Sequence, residues 1–157
     1  MNSPLISIIV IGRNEAKNLR RLTASLAPLQ DRWTSETIFV DSASSDDSVA
    51  VARALFDTTA VLAESPRLNA SAGRFAGVLL AHGEWALFLD GDMEFTPQCL
   101  PQLAAHLERE PRDCGALGTY VHRYTSGAVR RWTATVDRHQ RVDLFVRVDA
   151  WIPILLS

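Results

Sequence analysis

The amino-acid sequence predicts a three-layer α/β/α fold with a mostly parallel sheet and a short β-rich segment at its C-terminal end. Residues 5–11 and 85–89 are almost unbroken apolar runs, which are typical of central strands covered on both faces. Segments whose apolar residues recur every three or four positions alternate with strands, as expected when helices connect parallel strands. Together these patterns indicate an α/β protein.

The first strand leads into a helix. Asn14 is expected to cap this helix and Pro28 to end it. The core-facing stripe consists of Leu19, Leu22, Leu26 and Leu29. A strand at residues 37–40, a polar turn at 41–46 and a helix at 48–56 repeat the arrangement. The sequence thus predicts two consecutive β-α units.

Further elements surround the apolar run at residues 85–89. A short strand is predicted at residues 61–63, followed by a helix at 72–82 that Gly83 ends. One face of this helix carries Ala72, Phe75, Ala76 and Leu79. Beyond the central strand, Thr96 and Pro97 predict the start of a helix that reaches about residue 109.

The last part of the chain is predicted to be rich in strands. Residues 115–124 and 128–136 are expected to form a hairpin, and residues 142–148 alternate as a half-buried strand does. We expect one domain over residues 1–157. Residues 1–97 are expected to form its ligand-binding half, and residues 98–157 are expected to form part of the side that contacts the acceptor of any transferred group.

Composition limits the classes of partner. The 157 residues are 47% hydrophobic and carry a formal net charge of −2, which suits one soluble domain and gives no reason to expect nucleic acid. Cys99 and Cys114 lack metal-ligand spacing and are expected to be reduced. The four histidines, at positions 82, 106, 122 and 139, also lack such spacing. No signal peptide or membrane-spanning segment is apparent.

Two carboxylates follow the central apolar strand. Asp90 and Asp92 are two positions apart, and Gly91 between them allows the backbone to turn or to approach a ligand closely. Paired hard oxygen ligands suit Mg²⁺ or Mn²⁺ that is bound together with substrate phosphates. An ordinary Asp-Gly turn between strands is the alternative.

Polar residues gather at the ends of several predicted strands. Ligands of open α/β sheets bind beyond the carboxyl ends of the strands. The residues expected at this edge are Arg13, Asn14, Glu15, Asp41, Asp46, Asp90 and Asp92.

Four motifs in order resemble the family 2 glycosyltransferases, which have the nucleotide-diphospho-sugar transferase (GT-A) fold. They are Ile-Ile-Val-Ile-Gly-Arg-Asn-Glu at 8–15, Val-Asp-Ser-Ala-Ser-Ser-Asp at 40–46, Ala-Gly-Arg-Phe-Ala-Gly at 72–77 with Ala-His-Gly-Glu at 81–84, and Leu-Phe-Leu-Asp-Gly-Asp at 87–92. The resemblance is specific for residues 5–97 and weak beyond them.

The resemblance implies a role for each matching residue. Asp41 stands where the family recognises the nucleotide base, usually uracil, and Arg74 stands where an arginine reaches the base or the diphosphate. Asp90 would contact the ribose or the metal, and Asp92 would hold the metal. Ile11, Arg13, Glu15 and Gly91 would line the nucleotide-sugar pocket. Asp46 matches a further motif aspartate, for which helix capping is an equal explanation.

The implied activity is inverting, metal-assisted transfer of a sugar from a nucleotide diphosphate, UDP in the first instance, to an acceptor hydroxyl. The resemblance also implies that the acceptor is a saccharide or is lipid-linked, and that the protein takes part in cell-envelope polysaccharide synthesis. We expect a cytoplasmic location, peripheral at the membrane face. The chain departs from the family pattern at Ser42 and Phe75, where aspartate and asparagine are frequent. It also has no Glu-Asp pair downstream of Asp92, so no general base is assigned.

Two functional hypotheses remain open. One is an active transferase whose acceptor site is completed by a homo-oligomer or a partner chain. The other is a truncated or degenerate nucleotide-sugar-binding module. A nucleotidyltransferase is disfavoured because no Gly-rich, Lys-containing loop follows the first strand, and a dinucleotide dehydrogenase because no Gly-x-Gly-x-x-Gly follows Ile11.

Overall fold

A computed structural model describes residues 5–66, 68–99, 101 and 105, together with four short strands farther along the chain. The eight described strands are β1 Ile6–Gly12, β2 Ser35–Asp41, β3 Thr58–Val61, β4 Trp85–Asp90, β5 Gly115–Ala116, β6 Val121–Arg123, β7 Val129–Arg131 and β8 Phe145–Arg147. The helices are α1 Leu19–Ser25, α2 Ala27–Gln30, α3 Ser48–Leu55 and α4 Ala70–Leu80, with a 3₁₀ turn at Pro97–Cys99.

The main sheet is mixed, with a parallel half that carries the predicted site. Its strand order is β3-β2-β1-β4-β8-β5. β1 lies between β2 and β4 and is parallel to both, and β3 is parallel to β2. β8 is antiparallel to β4 and to β5. This arrangement confirms the predicted α/β class with its mostly parallel sheet and C-terminal strands.

Each face of the sheet carries its own apolar cluster. Alternate side chains of β1 enter the two clusters, with Ile8 and Val10 on one face and Ile9 and Ile11 on the other, as the period of a strand requires. The first cluster includes residues from α1, α2 and α3 and from their ends, namely Leu19, Leu22, Leu26, Leu29, Ala52 and Phe56. The second includes Val78 of α4. Helices therefore cover both faces, which is the predicted three-layer arrangement.

The start of α1 differs from the prediction. Asn14 was expected to cap this helix, but α1 begins at Leu19 and its N-cap is Asn18. Asn14 instead has a φ of 61°, in the left-handed region that asparagine tolerates better than most residues. The leucine stripe is buried as predicted, but it spans two helices, because α1 ends at Ser25 and Pro28 lies at the start of α2.

The face on which α4 packs also differs from the sequence pattern. Phe75 is 40% exposed and Leu79 is 69% exposed, although both belong to the predicted apolar face. The helix packs on β1 through its glycines, since a Cβ atom on Gly77 would overlap Ile9 Cγ2 and one on Gly73 would lie 3.1 Å from Ile11 Cγ2. Close approach of helix and strand thus sets the buried face.

Other predicted boundaries move by a few residues. The third strand is Thr58–Val61 rather than residues 61–63, and α4 runs over Ala70–Leu80 rather than residues 72–82. β6 and β7 pair antiparallel, as predicted for a hairpin, but the strand predicted at 115–124 is divided between β5 of the main sheet and β6 of a two-stranded sheet. β8 falls within the predicted strand at 142–148. Most of the helix predicted to reach residue 109 lies outside the described residues.

Glu36 fixes the sheet edge opposite the predicted site. Its carboxylate accepts hydrogen bonds from Ser7 Oγ (2.5 Å) and from the backbone N–H of His82 (2.6 Å), while His82 Nδ1 lies 3.1 Å from Oε2. Burial acts to raise the pKa of Glu36, but these hydrogen bonds outweigh it and leave the pKa below its usual value. The contacts join β1, β2 and the turn before β4.

A second contact fixes β2 beside β3. Asp57 Oδ2 accepts from the backbone N–H of Thr37 (2.8 Å) and from Thr37 Oγ1 (2.7 Å). Thr37 is buried, so the carboxylate satisfies a backbone donor that water reaches poorly.

Candidate nucleotide and metal site

The carboxyl ends of three parallel strands meet at one edge of the sheet. Gly12 of β1 pairs with Asp41 of β2 on one side, and Ile11 pairs with Asp90 of β4 on the other. The loops that leave these strands therefore begin next to one another. The sequence-predicted residues of this edge come from separate parts of the chain, and the register of the strands brings them together.

Arg74 and Asp90 form an ion pair at this edge. Arg74 Nη2 lies 2.7 Å from Asp90 Oδ1, and the two side chains are 20% and 39% exposed. Arg74 Nε is buried and has no hydrogen-bond partner among the described residues. A buried donor without an acceptor typically costs about 1–3 kcal/mol, so an acceptor supplied by a ligand would be favourable here.

Asp92 is exposed and lies close enough to Asp90 to affect it. The pKa of Asp90 is raised, chiefly because burial disfavours the carboxylate; the Arg74 charge acts against this rise and the Asp92 charge adds to it. One carboxylate is thus partly buried and paired with a cation, while the other faces solvent.

Gly91 sits between the two carboxylates against the end of β1. Its backbone N–H donates to the carbonyl oxygen of Ile11 at 2.8 Å. A Cβ atom at this position would lie 2.7 Å from Glu15 Cγ, so only glycine leaves room for the Glu15 side chain. Glu15 in turn accepts a hydrogen bond from Asn18 Nδ2 at 2.7 Å.

Asp41 is completely buried, and both of its carboxylate oxygens accept hydrogen bonds from Ser44. The backbone N–H of Ser44 lies 2.7 Å from Oδ2, and its hydroxyl oxygen lies 2.5 Å from Oδ1. Ala43 within this loop has a φ of 59°. Recognition of a base by Asp41 stays a prediction, and in this conformation it would require the loop after β2 to open.

Serines that the sequence pattern did not single out connect the two loops. Ser44 Oγ also accepts from the backbone N–H of Asn14 (2.8 Å), and Asn14 Oδ1 accepts from the backbone N–H of Ser45 (2.8 Å). Ser48 Oγ accepts from the backbone N–H of Glu15 (2.7 Å). In the sequence, only the run of serines after β2 pointed to these hydrogen bonds. That run predicted a polar turn but not which residues its serines would contact.

Asp46 belongs to the same network. Its Oδ1 accepts from the backbone N–H of Ser48 at 2.9 Å, and its Oδ2 lies 3.3 Å from the backbone nitrogen of Ala16. Hydrogen bonding from the Ser48 hydroxyl is the main reason why the pKa of Asp46 is lowered. Through these contacts Asp46 holds the loop after β1 against the start of α3, which is a structural role.

Among the remaining predicted residues, Ile11 is buried in β1, and Arg13, which directly follows β1, is exposed. Ser42, where the family often has aspartate, lies beside α4, because its Oγ is 3.9 Å from the position of a Cβ on Gly73. The chain thus places a hydroxyl, rather than a carboxylate, near the helix turn that carries Arg74.

The described residues suit a divalent cation whose ligands come partly from the protein and partly from a substrate. They contain no group of three or more His, Cys, Asp or Glu side chains that could hold a metal alone. Two carboxylates, Asp90 and Asp92, would leave most coordination positions open, which suits Mg²⁺ or Mn²⁺ bound with phosphate oxygens and water. The site could therefore hold a cation together with a diphosphate.

Comparison with known proteins identifies the family. A model described as glycosyl transferase family 2 matches residues 7–152. The chain belongs to glycosyl transferase family 2. An undecaprenyl-phosphate 4-deoxy-4-formamido-L-arabinose transferase of Pseudomonas savastanoi pv. phaseolicola (strain 1448A / Race 6) is 27% identical to this family 2 chain over 139 residues, covering 83% of it and 40% of the relative.

Solved structures of glycosyltransferases share the fold of this family 2 chain. S. aureus TarS (residues 1–349) superposes with a TM-score of 0.60 and 23% identity, over 76% of this chain and 36% of TarS. Glucosyl-3-phosphoglycerate synthase from Mycobacterium tuberculosis, in complex with Mn²⁺, UDP and glucosyl-3-phosphoglycerate, gives a TM-score of 0.55 and 26% identity over 66% of this chain and 39% of the synthase. These likenesses confirm the predicted GT-A fold.

The family 2 chain is short beside these proteins. It spans 40% of the curated relative and 36% of the TarS fragment. Among the helices that the structure describes, none is long and apolar enough to cross a bilayer.

Proposed function

We propose that this family 2 chain binds a nucleotide-diphospho-sugar, with UDP as the nucleotide, together with Mg²⁺ or Mn²⁺. The observation that carries the proposal is the group formed by Arg74, Asp90 and Asp92 at the carboxyl edge of the sheet. It offers a cation with an unused buried N–H beside two carboxylates, one of which faces solvent. Such a group matches a diphosphate that carries a metal ion.

Each residue has a distinct part in binding. Asp92, with Asp90, would hold the cation, and Arg74 would donate to a phosphate or base oxygen. The backbone N–H of Gly91, which donates to the Ile11 carbonyl, holds the turn after β4 against the end of β1. Glu15 and Arg13 would line the same pocket. Asp41 would contact the base after the loop that it holds with Ser44 opens.

We propose inverting transfer to an acceptor hydroxyl as the reaction. The hydroxyl oxygen attacks the anomeric carbon from the face opposite the diphosphate, the bond from that carbon to the phosphate oxygen breaks, and the hydroxyl proton passes to a base that the described residues leave unassigned. A bound cation would neutralise the charge that develops on the leaving diphosphate. Arg74 adds a fixed positive charge beside it.

We propose a lipid-linked or saccharide acceptor and a place at the cytoplasmic membrane face in cell-envelope polysaccharide synthesis. The curated relative, an undecaprenyl-phosphate transferase by name, supports this class of acceptor. A homo-oligomer that completes the acceptor side would be seen as a higher mass by light scattering.

Calorimetric titration of UDP, GDP and TDP into the chain, with and without Mn²⁺, tests the binding proposal. We expect metal-dependent UDP binding that Asp92→Asn abolishes. Glu94→Gln is the matched control, because it removes a nearby exposed carboxylate that pairs with Arg21 at 2.5 Å. No binding of any nucleotide by the folded chain would overturn the proposal.

A transfer assay separates the two functional hypotheses. UDP release from UDP-sugars in the presence of acceptor would support the transferase. Metal-dependent UDP binding without any release would instead assign a nucleotide-sugar-binding module.

A further inference from the structure

Arg74 already occupies one of the two carboxylates that the cation is proposed to use. Its Nη2 lies 2.7 Å from Asp90 Oδ1. A guanidinium at this distance compensates the charge of the carboxylate and repels any second cation that approaches it. Of the two carboxylates proposed to bind the cation, a metal ion arriving alone would therefore meet only Asp92 without a compensating charge.

The same arginine has unused capacity to bind an anion. Its Nε is buried without a hydrogen-bond partner among residues 5–66 and 68–99. Asp90 engages Nη2, so Arg74 can keep this contact and still donate another hydrogen bond to an incoming oxygen. A diphosphate oxygen would supply both the missing acceptor and the negative charge that a cation requires.

We infer that Arg74 is a positioning residue that couples the metal to the nucleotide, keeping the cation affinity of Asp90 and Asp92 low until a diphosphate compensates the guanidinium charge. The inference rests on the proposed function. In this scheme the metal and the diphosphate enter as one unit, and the site of the free chain does not collect divalent cations. Arg74 thus acts in opposite directions on two ligands: it weakens binding of the metal alone and strengthens binding of the nucleotide with metal.

These opposite effects give a test that does not depend on activity. Mn²⁺ binding to the free chain is measured from the paramagnetic resonance signal of free Mn²⁺, and UDP binding is measured by calorimetry at saturating Mn²⁺. We expect Arg74→Gln to bind Mn²⁺ alone about tenfold more tightly than the wild type, because one positive charge near the ligands is removed. The same variant should bind UDP with Mn²⁺ about tenfold more weakly, since it loses a charged donor.

Two further variants separate charge from structure. Arg74→Lys keeps the charge, so it should bind Mn²⁺ alone as weakly as the wild type while still losing UDP affinity. Arg21→Gln removes an arginine from another ion pair, that with Glu94, and should leave both affinities unchanged. Arg74→Met replaces Arg74→Gln if the latter does not fold, and the same result is expected of it.

The outcomes distinguish this inference from the proposed function. If the wild type binds UDP with Mn²⁺ but Arg74→Gln binds Mn²⁺ alone no more tightly, the coupling role is refuted and the proposed function stands. If the wild type binds no nucleotide with Mn²⁺, the proposed function fails and the inference fails with it.

Discussion

Replacing Gly91 with alanine should destabilise the fold through one neighbour, Glu15. The added methyl carbon would lie 2.7 Å from Glu15 Cγ and 3.0 Å from Glu15 Cβ, well inside the roughly 3.5–4.0 Å of a favourable carbon contact. It would also lie 3.4 Å from the carbonyl oxygen of Ile11, so it cannot move away from Glu15 without pressing on β1. Overpacking of this kind costs about 1–3 kcal/mol, and each kcal/mol lowers Tm by about 2–4 °C at this chain length.

A double-mutant cycle measured by urea unfolding isolates the contact. Glu15→Ala removes Cγ, so Gly91→Ala should cost about 1 kcal/mol less in that background than in the wild type. Gly83→Ala is the matched control: its methyl carbon would be equally crowded, 2.6 Å from the backbone nitrogen of Ser7, but Ser7 lies at the opposite end of β1. Its cost should be the same with and without Glu15→Ala.

Equal costs of Gly91→Ala in both backgrounds would refute the proposed contact. So would a variant as stable as the wild type. If the contact is real, the single variant should also bind UDP with Mn²⁺ more weakly, because Glu15 lies within the proposed pocket and has to move.

Three further predictions concern the framework of the site, each measured by urea unfolding. Gly77→Ala should lower the free energy of unfolding by about 1–2 kcal/mol, whereas Gly73→Ala should leave it nearly unchanged. Both substitutions raise helix propensity, but only the methyl group at position 77 would overlap β1, so equal effects would contradict this packing. Glu36→Gln should lower the free energy of unfolding at pH 7 but have almost no effect well below pH 4. The pKa of Glu36 is lowered on folding, so its carboxylate stabilises the folded protein above the unfolded pKa of about 4.3, and this stabilisation is lost as the pH falls through the folded pKa. A pH-independent difference would contradict this reasoning. Asp57→Ala should cost about 1–3 kcal/mol by leaving the backbone N–H of Thr37 without its acceptor, whereas Asp57→Asn, which keeps an oxygen, should cost less; the reverse order would contradict it.

The three buried strands of the parallel half, β1, β2 and β4, and the position of Asp90 could be predicted because strands covered on both faces have nearly continuous apolar sequences. β3 is less buried, and its predicted position was wrong by three residues at its start. A run such as residues 85–89 has no polar alternation, and whatever follows it must appear at the edge of the sheet. The order of the motifs then indicated the GT-A fold, which the comparisons confirm.

The exposed face of α4 could not be predicted in the same way. A prediction from helical periodicity assigns large apolar residues to the core. This helix instead approaches β1 through its glycines, and Phe75 and Leu79 remain exposed. How closely two elements approach depends on their shapes together, which no single helical pattern contains.

The hydrogen bonds of Ser44 and Asn14 were hidden for another reason. Their partners lie about thirty positions away, and a serine or asparagine between elements predicts only a turn. The left-handed backbone of Asn14 depends on that distant contact and not on the helix that follows. The role of Asp41 as a base contact stays a prediction for a different reason: Ser44 is only three positions away, but a serine in a polar turn does not reveal that it bonds both carboxylate oxygens.

The central place of β1 has a consequence for how the protein folds. This strand pairs with β2 and with β4, and the latter pairing joins Ile6 to Trp85 across most of the described chain. Such distant pairings close large loops and form slowly compared with local contacts. The proposed pocket depends on both pairings, so it should be absent from any partly folded state in which β4 has not paired with β1. The backbone amides of the strand ends that form it should exchange with solvent only when the whole sheet opens.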